Sequence, residues 1–176
     1  MIFFLFYFLY QLNYNNNLSD RITSIERKKN LPIEIKIKKM HDNAILPTLG
    51  TINSACFDLF AIEEVEILPN KTVVIPHGFA IEIKNRNDLH FAIYSRSGIS
   101  IRLGLSVQYV GIIDNDYRGE MKSIIHNFSD QIQYITPGER ITQIGLQRFI
   151  TDVNFEVVNN LNPTTRGTGG FGSTGK

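Results

Sequence analysis

Residues 73–83 read VVIPHGFAIEI, and this stretch decides the fold. It contains two largely apolar runs, 73–75 and 79–83, which are separated by Pro76 and a glycine. Short runs of β-branched and aromatic residues that end at proline or glycine are typical of strands joined by tight turns. The stretch therefore predicts two consecutive β-strands.

The same pattern continues in both directions along the chain. Upstream, isoleucine alternates with a charged residue across 33–38, and this two-residue period predicts a strand whose lysines lie on a solvated face. Further strands are predicted at 89–94, 121–128, 133–135, 141–149 and 155–158. No long window keeps the 3.6-residue apolar period of a helix. The sequence predicts an all-β domain, either a jelly-roll-like sandwich or a β-barrel.

The two ends of the chain differ from this middle part. Residues 1–12 are nearly all apolar, but a helix of that length would cover only about 18 Å of a roughly 30 Å hydrocarbon core. We interpret residues 1–30 as a disordered or non-native extension, with a targeting segment and a membrane anchor open as alternatives. Residues 31–160 then form the β-domain, and residues 161–176 form a flexible C-terminal arm.

Composition excludes several classes of function. A net charge of +1 argues against a surface that neutralises many nucleic-acid phosphates, so we expect no nucleic-acid partner. The single cysteine, Cys56, cannot form an internal disulfide and makes a structural zinc site implausible. We therefore expect a reducing compartment, the cytoplasm, with the nucleus as the alternative in a eukaryote or virus. Association with a membrane is not expected, although residues 1–12 leave targeting open.

The C-terminal arm carries groups that suit an anionic ligand with a flat ring. Arg166 offers a two-pronged donor for a phosphate, Ser173 and Thr174 offer hydroxyls, and glycines such as Gly172 let backbone amides approach closely. Phe171 has no apolar neighbour nearby in sequence and could cover a ring. A flexible terminus without function is the alternative reading of the same residues.

Five segments, in order, resemble the five sequence motifs of the trimeric dUTPase family, which hydrolyses deoxyuridine triphosphate. They are residues 53–61 (NSACFDLFA), 95–98 (SRSG), 111–119 (GIIDNDYRG), 137–143 (PGERITQ) and 166–176 (RGTGGFGSTGK). The resemblance implies the jelly-roll fold of that family and a homotrimer with shared active sites. It also implies conversion of dUTP to dUMP and pyrophosphate, which limits uracil in DNA and supplies dUMP for thymidylate synthesis.

The third motif implies the catalytic and nucleoside-binding residues. Asp114 matches the carboxylate that activates water for attack on the α-phosphorus, although on its own it could also be a turn-capping aspartate. Tyr117 matches the tyrosine that leaves no room for a 2′-hydroxyl. The substrate would also contact a further set of residues along the chain: Gln108, Gly111, Ile112, Ile113 and Lys122.

The other motifs imply the phosphate and metal contacts. Arg96, Ser97 and Gly98 match the segment that holds the phosphates, and Gln143 matches a glutamine near them. Asp58 matches a carboxylate that positions hydrated Mg²⁺ through water, which suits an ion that keeps several of its waters. Arg166, Phe171, Gly172, Ser173 and Thr174 would close over the bound nucleotide.

Two residues depart from the family pattern. Cys56 stands where the first motif usually has glycine, and a cysteine fits there only if the backbone φ is not positive. Ser95 stands where the second motif usually has proline, so we expect a softer phosphate loop. Neither change removes a group that performs chemistry, and the sequence therefore predicts an active enzyme.

Three other interpretations stay open from the sequence. A dCTP deaminase-like enzyme would share the fold and a pyrimidine nucleotide as ligand, but the RGTGGFGSTG arm favours hydrolysis. A regulatory trimer could keep the fold and bind nucleotide with weak catalysis. A structural, capsid-like jelly roll would have no use for the arm.

Overall fold

The structure is a computed structural model, and it describes residues 32–170. The described part is built mainly of short β-strands with one short helix, as the sequence pattern predicts. In chain order the elements are β1 (Glu34–Lys39), β2 (Thr48–Leu49), β3 (Phe57–Phe60), β4 (Val65–Ile67), β5 (Thr72–Pro76), β6 (Phe79–Lys84), β7 (Leu89–Ser95), α1 (Ser97–Leu103), β8 (Leu105–Val107), β9 (Gly111–Ile113), β10 (Lys122–Asn127), β11 (Gln133–Ile135) and β12 (Arg140–Arg148).

The strands form four antiparallel sheets in the described part of the chain. The largest has the order β2-β3-β12-β7-β9, and a second has the order β5-β10-β8. Two two-stranded sheets, β1-β6 and β11-β4, complete the arrangement, and each pairs strands that are distant in sequence. Strand β12 lies between β3 and β7, so the segments with the first, second and fourth motifs are neighbours in one sheet.

Two buried apolar clusters hold the sheets together. Each fully buried aliphatic or aromatic side chain contributes roughly 1.5–3 kcal/mol to folding. The first cluster consists of Leu59, Phe79, Ile81, Ile83, Leu89, Phe91, Ile93, Met121 and Ile144. The second consists of Ala61, Ile67, Ile75, Ile99, Leu105, Ile125, Ile135 and Ile141. Because β12 supplies Ile141 to one cluster and Ile144 to the other, it fixes the position of the residues between them, including Gln143.

The structure confirms most of the predicted strands and corrects one. The sequence pattern predicts a strand at 155–158, but these residues form no strand in the described chain. Their apolar side chains are exposed to solvent. A strand needs a partner for its backbone groups, and residues 32–170 of a single chain provide none for this segment. The predicted extension at 1–30 lies outside the described residues.

The elements that were not predicted are helix α1 and the strands β2, β3, β4, β8 and β9. The helix has seven residues and buries a single isoleucine, Ile99, so it leaves no apolar period to detect. It ends at Gly104, whose φ of +64° favours glycine and whose N–H donates to the carbonyl of Ser100. Within residues 32–170, no helix is long and apolar enough to span a membrane.

A buried polar chain links three elements of the fold. His77 is fully buried; its Nδ1 lies 2.8 Å from the carbonyl of Phe60 and its Nε2 lies 2.7 Å from Oγ of Ser123. Ser123 Oγ in turn lies 2.8 Å from Oγ1 of Thr142. These hydrogen bonds therefore connect β3, β10 and β12, each of which carries a predicted site residue.

This burial predicts a loss of stability in acid. Desolvation lowers the pKa of His77 below its ordinary value, so below pH ~6.5 the unfolded chain binds a proton that the folded chain excludes. The free energy of unfolding should fall as pH decreases, by at most about 1.4 kcal/mol per pH unit between the two pKa values. Urea denaturation at pH 7.5 and 5.5 measures this. His77→Gln should flatten the dependence, whereas His90→Gln, a partly exposed control, should retain it; an equal slope in all three proteins would contradict the assignment.

Candidate active site

One cavity, which we call the Arg96 cavity, lies where β7 ends and α1 begins. Its volume is about 360 Å³. Its lining residues are Gly50, Ser54, Ala55, Cys56, Asp58, Arg96, Ser97, Gly98, Arg140 and Gln143. These residues come from the first, second and fourth motifs, which the β3-β12-β7 order brings side by side.

Two arginines and one carboxylate give this cavity its charge. Arg96 Nε donates to Asp58 Oδ1 at 2.7 Å, and Arg140 donates to Asp58 Oδ2 at 3.2 Å. Asp58 is buried, so it holds both guanidinium groups in place. With two positive charges against one negative charge, the cavity is suited to an anion.

The backbone around Arg96 leaves room for a ligand. Ser97 and Gly98 occupy the first positions of α1, whose leading N–H groups have no partner within the helix. A Cβ placed on Gly98 would meet no protein atom within 4 Å. Gln143 is oriented by a 2.8 Å hydrogen bond from Nε2 to the carbonyl of Ser95. The cavity thus combines positively charged side chains, the Ser97 hydroxyl, the Gln143 amide and a main chain at Gly98 that a ligand can approach.

A second cavity, which we call the Asp114 cavity, is smaller and of different chemistry. Its volume is about 180 Å³, and its lining residues are Ile112, Ile113, Asp114, Tyr117, Glu120 and Lys122. An aromatic ring and two isoleucines offer surface for a flat or apolar group, and Asp114 offers a carboxylate that can accept a proton from water. Lys122 lies 3.5 Å from Glu120.

Tyr117 is held against the main chain that follows it. Its hydroxyl donates to the carbonyl of Glu120 at 3.2 Å, and its N–H donates to the carbonyl of Asp114 at 3.1 Å. A Cβ built on Gly119 would lie 2.9 Å from Cε2 of Tyr117 and closer still to Cζ and the hydroxyl. The ring therefore lies over Gly119 in a position that a larger residue would not allow.

The predicted site residues divide between these cavities. The structure places Asp58, Arg96, Ser97, Gly98 and Gln143 together in one. It places Ile112, Ile113, Asp114, Tyr117 and Lys122 together in the other.

The remaining predicted residues line neither cavity or lie beyond the described part. Gln108 donates its N–H to the carbonyl of Ile124, and Gly111 packs against Ile93. Arg166 is exposed and donates to the carbonyl of Gly169 at 3.1 Å. Phe171, Gly172, Ser173 and Thr174 lie outside the described residues.

Several lining residues received no role from the sequence, among them Arg140, Ser54 and Glu120. Arg140 and Ser54 belong to quoted motifs, and Glu120 follows the third motif directly. The available signal for Arg140 was that it is the arginine of the fourth motif, PGERITQ. For Glu120 the signal appears only in three dimensions, where its carboxylate accepts from the N–H of Gly78 at 3.1 Å.

The described part of the chain contains no site at which protein ligands alone would hold a magnesium ion. Residues 32–170 contain no cluster of three or more histidine, cysteine or acidic side chains with suitable geometry. Both oxygens of Asp58 accept from arginines. A carboxylate has about four lone-pair positions, so Asp58 still has capacity for a water. The residues fit an ion that arrives on the phosphates of a ligand and contacts Asp58 through water.

The two departures from the motifs are both accommodated. Cys56 does not have a positive φ, which meets the condition that the sequence set for a cysteine there. Burial raises the pKa of its thiol, so the thiolate is disfavoured. Ser95 Oγ accepts from the N–H of Val107 at 2.9 Å and lies 2.7 Å from Oγ of Ser106. These bonds attach the end of β7 to β8 and supply a constraint that the missing proline would otherwise give.

Comparisons with known proteins agree with this arrangement. A family model described as dUTPase matches residues 42–175. The deoxyuridine 5'-triphosphate nucleotidohydrolase of Helicobacter pylori is 38% identical over 144 residues, which cover 81% of this chain and 97% of that protein.

Solved structures give the same result for the fold. A mutant dUTPase of Staphylococcus bacteriophage 80alpha, solved with dUpNHpp, has a TM-score of 0.72 and 25% identity, covering 81% of this chain and 99% of that one. A mutant dUTPase of phage phi11 of S. aureus, described with a structural Mg(II) ion, has a TM-score of 0.65 and 22% identity, covering 74% and 99%. The jelly-roll class predicted from the sequence is confirmed. The match of the family model across residues 42–175, with a relative 38% identical over most of both chains, shows that this protein belongs to the dUTPase family.

Proposed function

We propose that the protein hydrolyses dUTP to dUMP and pyrophosphate, with Asp114 as the general base. The observation that carries the proposal is that Asp114 and Tyr117 line one cavity while Arg96 and Arg140 line another. A carboxylate beside a ring surface suits a water next to a nucleoside, and paired arginines suit a phosphate chain. Membership of the dUTPase family supports the same substrate. By this reaction the protein would limit uracil in DNA and supply dUMP for thymidylate synthesis.

The reaction needs one water and releases one leaving group. Asp114 accepts a proton from the water while the water oxygen forms a bond to the α-phosphorus. The bond between that phosphorus and the oxygen bridging to the β-phosphate breaks, and pyrophosphate leaves. Arg96 and Arg140 stabilise the negative charge that develops on the phosphate oxygens. The proton then passes from Asp114 to solvent.

Magnesium is the metal that we propose for the reaction. It would supply positive charge to the phosphate oxygens when bound with the substrate. Asp58 would hold one of its waters, while the two arginines fix the carboxylate in orientation. Manganese has a similar preference for oxygen ligands. Measuring turnover as a function of the concentration of each metal ion distinguishes the two.

We further propose a homotrimer whose active sites are shared between subunits. In one chain the Arg96 cavity and the Asp114 cavity have no lining residue in common. A second copy that joins a cavity from each of two chains would complete the site. Phe155 and Val157 are at least 90% exposed in the single chain, which also favours cover by another subunit. Sedimentation equilibrium measures the mass; a monomer with full activity would rule this out.

The cytoplasm is the compartment that we propose, with the nucleus as the alternative in a eukaryote or virus. The support is chemical: Cys56 is the single cysteine of the chain and carries a free thiol. Imaging a tagged full-length protein in its own host would decide between the two.

One experiment tests the substrate. Pyrophosphate release is measured with dUTP, dTTP, UTP and dCTP in parallel, each with and without Mg²⁺. We expect turnover with dUTP and Mg²⁺ that exceeds every other combination by about 100-fold or more. Fixed hydrogen-bonding groups would reject the base edge of dCTP, and Tyr117 would leave no room for the 2′-hydroxyl of UTP. Ammonia release from dCTP would identify a deaminase, and binding of dUTP without turnover would identify a regulatory protein.

Gly119 should control discrimination against ribose. In Gly119→Ala the new Cβ displaces the Tyr117 ring, so room appears for a 2′-hydroxyl. The ratio of kcat/KM for dUTP to that for UTP should fall by about 10-fold. Tyr117→Ala is the matched reference. In a protein that already carries Tyr117→Ala, the further substitution Gly119→Ala should not change the ratio of kcat/KM for dUTP to that for UTP. Unchanged selectivity in Gly119→Ala would show that the ring does not exclude the ribose.

A further inference from the structure

The carboxylate of Asp114 receives no support from neighbouring side chains. Among residues 32–170 no hydrogen bond or ion pair holds its oxygens, and the side chain is exposed. It lies in the loop between β9 and β10, immediately after the short edge strand β9. The position of the carboxylate therefore depends on what fixes the backbone of that loop.

The next residue supplies the anchor. Asn115 donates both N–H groups of its amide to backbone carbonyls, at 2.9 Å to Arg86 and at 2.8 Å to Leu89. These carbonyls lie at the two sides of the turn that joins β6 to β7. One side chain thus ties the Asp114 loop to a different part of the fold, about 30 residues earlier in the chain.

The turn that receives Asn115 is itself held by ion pairs and a backbone hydrogen bond. Arg86 makes a two-pronged contact with Asp88, with distances of 2.7 and 2.9 Å. Arg148, at the end of β12, lies 3.1 Å from the same carboxylate, and the N–H of Phe149 donates to the Asp88 carbonyl at 3.0 Å. Hydrogen bonding to Arg86 lowers the pKa of Asp88 to about 2, so this contact persists through the neutral range.

The loop is closed on its other side by Arg118. Its guanidinium donates to the carbonyl of Asn115 at 2.7 Å and to that of Tyr117 at 2.9 Å. The loop is therefore held as a unit, and Asn115 is its attachment to the sheet.

We propose that Asn115 is a positioning residue that sets the place of the Asp114 carboxylate through the 85–89 turn. The proposal rests on the role of Asp114 proposed above. Asparagine suits this position because its amide has two donors for two carbonyls. Serine has one donor, and aspartate would place acceptors against acceptors. Arg86, Asp88 and Arg148 act through the turn, without touching the substrate.

The test is the separation of kcat from KM in Asn115→Ala. A small displacement of the base relative to a bound substrate can reduce turnover by as much as about 100-fold, so kcat should fall 10- to 100-fold while KM stays within about twofold. Asn115→Asp should be at least as impaired. Asn43→Ala is the matched control, because Asn43 also donates an amide N–H to a backbone carbonyl, that of Ile62, away from both cavities; it should leave kcat unchanged.

Asp88→Asn provides an independent variant. It weakens the turn at a distance, so it should lower kcat in the native background and have little further effect in Asn115→Ala. Wild-type kcat in Asn115→Ala, or equal changes in kcat and KM, would overturn the proposal. Asp114→Asn in the same assay separates the two ideas: if Asp114→Asn is inactive while Asn115→Ala is fully active, only the positioning role fails, whereas an active Asp114→Asn removes the base itself.

Discussion

Asp114→Asn should reduce kcat for dUTP by about 100- to 10,000-fold, the range typical for loss of a general base. The amide has nearly the same shape but cannot take a proton from water, so the nucleotide still binds and the phosphorus is not attacked. Single-turnover kinetics and the affinity for a non-hydrolysable dUTP analogue measure the two effects separately.

Asp116→Asn is the matched control for this prediction. Asp116 is also an exposed aspartate of the same loop, but it does not line the Asp114 cavity. Its substitution should change kcat by less than about threefold, because no proton transfer depends on it. Comparable losses in both variants would indicate damage to the loop and would argue against Asp114 as the base.

Truncation after Asn162 should lower kcat/KM for dUTP by about 100-fold or more, because it removes the groups that would close on the phosphates and exclude water. The packed strands end at Arg148 and residues 151–162 are exposed, so the remaining chain should fold normally. If the arm closes as proposed, ordering it would cost about 1–2 kcal/mol per residue, which contacts with bound nucleotide would have to offset. Steady-state kinetics and sedimentation on the truncated protein measure both effects.

Two milder variants locate the effect within the arm. Truncation after Gly170 removes Phe171 but leaves Arg166, and Arg166→Lys keeps the charge but loses the two-pronged geometry. Each should retain part of the activity lost in the longer truncation. Full activity after Asn162 would remove the arm from the mechanism.

Strands with a strong pattern could be predicted from the sequence, whereas most short elements could not; the three-residue strand β11 is an exception. The two-residue alternation at 33–38 and the apolar runs at 73–75 and 79–83 are long enough to distinguish strands from turns. They therefore predict β1, β5 and β6. Strands β2 and β9, with two and three residues, leave too little sequence for a period. The alternation at 33–38 predicts one solvated face for β1, but Ile35 and Ile37 on the other face are also each 38% exposed in the single chain.

The candidate site could be predicted as a set of residues but not as an arrangement. The motifs identified Arg96, Asp58 and Asp114 by type and order. Their division into two cavities depends on strand order, because β9 is at the edge of the sheet whose centre carries β12 and β7. The contacts of Asn115 join segments about 30 residues apart, so no local sequence pattern predicts them.

Hydrolysis of dUTP in water enriched in oxygen-18 tests the central claim most directly. If Asp114 directs water to the α-phosphorus, mass spectrometry should find one heavy oxygen in dUMP and none in pyrophosphate, and Asp114→Asn should form almost no labelled dUMP in the same time. Label in pyrophosphate would place the attack at another phosphorus, and absence of labelled dUMP from the wild-type protein with magnesium would contradict the account.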